Sequence, residues 1–155
     1  MSFEPAFVSS ITALVAVIAS PLVTIYVAKV NISSSVVYKN RQDWINRLRN
    51  EIAELLKEIQ HVPSAYEAGA INLNETIEKL GLIISKVEII RLLINPKEAD
   101  HEDLVRQISL ASEKVINSIN QKKGNSAELE KMSSNIDTLS QTILKREWER
   151  VKIGS

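Results

Sequence analysis

From Pro5 to Ala28 the chain reads PAFVSSITALVAVIASPLVTIYVA, with Glu4 and Lys29 as the charges that bound it. As a helix this stretch is roughly 36 Å long, against a hydrocarbon core of about 30 Å. An uncharged run of this length predicts a membrane-spanning helix, with a buried helix of a soluble protein as the alternative. Within it, Ser9, Ala13, Ala16, Ser20 and Thr24 share one narrow face at about 100° per residue. A small, weakly polar face of this kind packs helix on helix or lines a pore in an oligomer. Pro21 cannot donate to the carbonyl of Val17, so a kink is expected there.

After the polar stretch VNISSSV (30–36) the pattern changes. Ile45, Leu48, Ile52, Leu55, Ile59 and Val62 alternate steps of three and four, a seam for assembly or bundle packing. Pro63 is expected to end that helix, and 63–74 to form a loop. Asn74 is the expected N-cap of the next helix, whose face is Ile77, Leu80, Ile84, Val87, Ile90 and Ile94, widened by Ile83 and Leu93. Asn95-Pro96 stops it. Asp100 followed by Asp103 resembles a capping pattern for a further helix, faced by Leu104, Ile108, Ala111, Val115 and Ile119 and closed by Lys122, Lys123 and Gly124. Ser126 caps a last helix with Leu129, Met132, Ile136, Leu139 and Ile143 inward. The predicted fold class is all-α. One N-terminal transmembrane helix with its juxtamembrane segment occupies 1–36, and a cytoplasmic antiparallel four-helix bundle occupies 37–155.

Composition narrows the chemistry. The 155 residues contain 19 Lys plus Arg and 19 Asp plus Glu, so only the distribution of charge is informative. There is no cysteine, which excludes disulfides and thiolate metal sites. The two histidines, His61 and His101, form no metal-binding motif, and no phosphate loop or nucleophile elbow is present. Neither an enzyme nor a cofactor is expected. Lys29, Lys39, Arg41, Arg47 and Arg49 follow the apolar run and no Lys or Arg precedes it. The positive-inside rule then puts the N-terminus outside and the remaining domain in the cytoplasm.

An up-down-up-down bundle returns the C-terminus beside the start of its first helix. That unites KNRQDWINRLR (39–49) with LKREWERVK (144–152). Lys39, Arg41, Arg47, Arg49, Lys145, Arg146, Arg150 and Lys152 are therefore the candidate site for lipid headgroups or a phosphate-bearing ligand, with salt bridges to a partner protein or between subunits as a third use. Trp44 and Trp148 either sit at headgroup level or pack at that end of the bundle.

The pattern NRQDWINRLR (40–49) after one N-terminal span, with the ending ILKREWERVK (143–152), resembles small bacterial single-span membrane effectors of anti-phage defence. The ion-channel effectors of Hailong-type systems are among them. The resemblance covers about twenty residues plus the overall architecture. It implies an inner-membrane homo-oligomer, a tetramer, whose cytoplasmic helices bind a DNA oligomer or nucleotide second messenger. The expected function is an oligomeric membrane effector that conducts ions or disrupts the membrane and is gated through its cytoplasmic domain. The alternative is a non-conducting membrane-anchored scaffold that recruits partners through coiled-coil-like helices such as the seam Ile45, Leu48, Ile52, Leu55 and Ile59.

Overall fold

The computed structural model describes residues 5–121 and 126–153; side chains are described from Val17 onward, except at 18, 30, 33 and 34. Four α-helices follow in order: α1 (Pro5–Glu67), α2 (Leu73–Leu93), α3 (Ala99–Gln121) and α4 (Ser126–Ile153). The described residues contain no strand, as the spacing of apolar residues requires. The chain divides into a unit ending at Arg41 and a unit covering Gln42–Ile153, and α1 runs through both. Helix is unbroken through Pro21 and through 30–36.

The second unit is an antiparallel bundle of the C-terminal part of α1 with α2, α3 and α4. Its core holds Ile45, Leu48, Ile52, Leu55, Ile59 and Val62 of α1, with Ile83, Val87 and Ile90 of α2. Leu104, Ile108, Ala111, Val115 and Ile119 of α3 face Leu129, Ile136 and Ile143 of α4. The seam foreseen for assembly is thus packed inside the chain's own bundle, where none of its residues is more than 3% exposed. Burying each such side chain stabilises the fold by about 1.5–3 kcal/mol.

Pro63 does not end α1, which continues to Glu67. The missing donor and ring clash of an internal proline cost about 3 kcal/mol. Burial of Val62, Pro63 and Ala65 offsets that cost, because the last turn extends the same core. The helix stops where Gly69 adopts φ 67°. Its N–H donates to Tyr66 O (3.0 Å), and Ala70 N–H donates to Ala65 O (2.8 Å). These two bonds close the helix in a left-handed cap that favours glycine.

The start of α2 lies one residue before the expected N-cap, not after it. Asn72 is the cap: its side chain accepts from Glu75 N–H, and Glu75 returns a bond to Asn72 N–H. This reciprocal pair decides the start because it satisfies two donors at once. Of the face expected for α2, Val87, Ile90 and the widening residue Ile83 are buried, but its N-terminal half is turned by one residue. Thr76, Ile83, Val87 and Ile90 are buried, while Ile77 and Ile84 are exposed. Asp100 and Asp103 do not form the expected cap of α3; Asp100 sits inside the first turn, facing α4. Residues 122–125, including the expected Lys-Lys-Gly stop, lie outside the described residues.

The single-pass inner-membrane placement is corrected here. Among the described residues, no helix is long and apolar enough to cross a membrane. Of the proposed pore face, Ser9, Ala13 and Ala16 have side chains outside the described residues. Ser20 and Thr24 are exposed, and the Thr24 hydroxyl donates to Ser20 O (2.9 Å) in its own helix.

Candidate functional site

The charged groups that converge do so where α4 ends beside the start of α3. Arg146 lies on α4 and reaches two acids on the α2–α3 connection and first turn. Its Nη1 donates to Asp100 Oδ2 (2.5 Å) and its Nη2 to Glu98 Oε2 (2.5 Å). Arg150, one turn on, donates to Glu98 Oε1 (3.3 Å) and to Glu147 Oε1 (2.6 Å). Glu147 is almost fully buried, so its charge needs these partners. Burial opposes ionisation of Glu98, but hydrogen bonds from Asn95 and Arg150 and the charge of Arg146 outweigh it and hold its carboxyl below the usual value. Burial likewise opposes ionisation of Asp100, and the Arg146 bond and charge again win. The Arg146 guanidinium is in turn held charged, first by its bond to Asp100.

His101 forms the floor of this cluster and is 1% exposed. Asn95 N–H donates to its Nδ1 (2.9 Å), so the neutral ring carries its proton on Nε2. Nε2 lies 3.3 Å from Arg146 Nη2 and 4.0 Å from Glu98 Oε2. The Trp44 ring stacks on the imidazole, with centroids 6.4 Å apart and planes at 26°. Its Nε1–H donates to Leu93 O (2.5 Å), one of the carbonyls that the end of α2 leaves without a helical partner. Trp44 is thus a packing and capping residue. The ligand atoms of Glu98, Asp100 and His101 all lie within 4.8 Å of one another, a spacing a metal ion could use. The guanidinium of Arg146 already sits among them, and it supplies the positive charge the acids need.

The eight basic residues read from the sequence therefore separate. Lys39 and Arg41 belong to the first unit. Arg146 and Arg150 are matched by carboxylates. Lys152 pairs with Glu149 (3.0 Å) and lies 5.9 Å from the Trp148 ring centroid, in cation–π range. Arg47 is exposed on α1. Arg49 and Lys145 line a groove of about 470 Å³ between α1 and α4, together with Gln42, Ile45, Asn46, Gln141, Leu144 and Trp148. From Gln42 on, the two basic, Trp-bearing segments do meet, and among the described residues Arg49 and Lys145 are the cations that line the groove between them.

Sequence reasoning missed the Glu98–Asp100–His101 cluster. Its only signal is the acidic run KEADHED (97–103), which reads equally well as the solvated start of a helix.

No family model matches this chain, and no curated protein or solved structure matches it.

Proposed function

We propose that this protein is a non-enzymatic helical scaffold that works as a homo-oligomer, assembling through residues 17–38 of α1. One observation carries the reading. Val17, Leu22, Val23, Ile25, Tyr26, Val27, Ile32, Val36, Val37 and Tyr38 are all at least 44% exposed. At about 100° per residue they point to every side of the helix. A helix apolar all round does not stand alone in water, and apolar patches of this extent mark interaction surfaces. A second copy covers only one side, so assembly goes beyond a dimer, as in a multi-helix bundle. The tetramer implied by the resemblance fits this requirement. Thr24 does not spoil the surface, since its hydroxyl bonds to the backbone of its own helix. The second unit supports a scaffold rather than a catalyst: its clustered ionisable groups bond to one another.

Sedimentation of the full chain tests the proposal. Wild type is expected to sediment as a defined species larger than a dimer. Ile25→Glu combined with Ile32→Glu, two residues on one side of α1, is expected to reduce that species while the thermal unfolding of the bundle stays the same. A monomeric wild type, or an unchanged species in the double variant, overturns it.

A further inference from the structure

We propose that the groove between α1 and α4 binds a small organic anion with a flat apolar body, its charged group held by Arg49 and Lys145. Each wall is a single helical stripe. Gln42, Ile45, Asn46 and Arg49 fall at i, i+3, i+4 and i+7 along α1, and Gln141, Leu144, Lys145 and Trp148 do the same along α4. Ile45 and Leu144 are buried and make an apolar floor. Gln42, Asn46, Gln141 and the two cations supply polar groups above it, and Trp148 offers a flat face for stacking.

Charge selects the occupant. No carboxylate lines the groove. The acid tied to its wall is Asp137, which accepts from Gln141 Nε2 (2.8 Å). Among the described residues neither Arg49 nor Lys145 pairs with a carboxylate; Arg49 Nη1 donates to Asn46 Oδ1 (3.1 Å) in its own helix. Arg146, the next residue along α4, has Glu98 and Asp100 as partners. A chain of zero formal net charge thus leaves two cations together over an apolar floor, a place where positive potential concentrates. Small-molecule sites span about 300–1,000 Å³, and this groove falls in that range. The antiparallel run of α1 and α4 puts Arg49 toward Gln141 and Trp148 toward Gln42, with Lys145 between. An anionic head at Arg49 and Lys145 therefore leaves the apolar body over Ile45 and Leu144, against Trp148.

The probes are 2-naphthoate and its neutral counterpart 2-naphthamide, titrated into the ¹⁵N-labelled full chain and followed by two-dimensional NMR. Naphthoate is expected to shift the Trp148 indole N–H and the side-chain amides of Gln42, Asn46 and Gln141. Naphthamide is expected to bind at least several-fold more weakly. Arg49→Gln with Lys145→Gln should weaken naphthoate about tenfold, equivalent to roughly 1.4 kcal/mol. Arg47→Gln, exposed on α1 outside the groove, should leave it unchanged. Equal affinity for both probes, full affinity in the double variant, or shifts confined to 17–38 would each overturn the assignment.

Discussion

Replacing Arg146 by Met keeps an unbranched apolar stem and removes the guanidinium and its charge, leaving Glu98 and Asp100 without their main partner. Two charge-assisted bonds of 2.5 Å are lost. Fully buried, such bonds contribute about 1.5–3 kcal/mol each. Here Arg146 is 36% exposed, and Glu98 and Asp100 are 24% and 27% exposed, so solvent screens the interaction. The expected loss for the set is about 1–2 kcal/mol, or roughly 4–8 °C in Tm. The pH dependence identifies the cause. Both carboxyls titrate below their usual values of 4.5 and 3.8. Their contribution is therefore present at neutral pH and fades as pH falls through the lowered folded-state values. Urea unfolding followed by circular dichroism should show Arg146→Met less stable than wild type at pH 7, with the difference shrinking as the pH falls below the usual carboxylate range. A double-mutant cycle with Asp100→Asn should return a favourable coupling. A difference that stays constant with pH, or no loss at pH 7, would refute the ion-pair account.

Ser133 Oγ is buried without a hydrogen-bond partner, so Ser133→Ala should leave stability unchanged or raise it by about 1 kcal/mol, read from chemical denaturation. Gly69→Ala forces a side chain into φ 67° and should cost about 1 kcal/mol in the same assay, although nothing lies within 4 Å of the added methyl group. Trp44→Phe keeps an aromatic ring against His101 but loses the bond to Leu93 O; about 1 kcal/mol should go, with faster amide exchange in the last turn of α2 as the local readout.

Much of the bundle was legible because its helices keep strict apolar spacing on one face. The α1 seam and the α3 stripe are buried residue for residue. In α2 the spacing misleads: the pairs Ile83-Ile84 and Ile89-Ile90 put apolar residues on adjacent faces, and only the neighbouring helices decide which is covered. Pro63 predicts a helix end by local cost alone, and the core around Val62 and Ala65 outweighs that cost. For the basic residues, Arg146 finds Asp100 and Glu98 nearly fifty positions away, and one sequence has no local sign of such a pairing. The charge of Arg49 and Lys145 is plain in the sequence, but their separation from Arg146 and Arg150 depends on which helix each one faces.

The α1–α2 hairpin uses contacts of two kinds. Lys79 pairs with Glu58 (3.3 Å), and Lys86 pairs with Glu51 (3.3 Å) and Glu54. Both the lysines and the glutamates Glu51 and Glu58 recur every seven residues, the period of the apolar seam. A hairpin shifted by one heptad therefore keeps apolar residues facing inward and still matches one lysine to one glutamate. Trp44 breaks this degeneracy, because its bond to Leu93 O and its stack on His101 exist in one alignment only. The tryptophan thus acts as an index mark. Its energy is modest, yet it separates the native hairpin from a near-copy that the repeating contacts would tolerate.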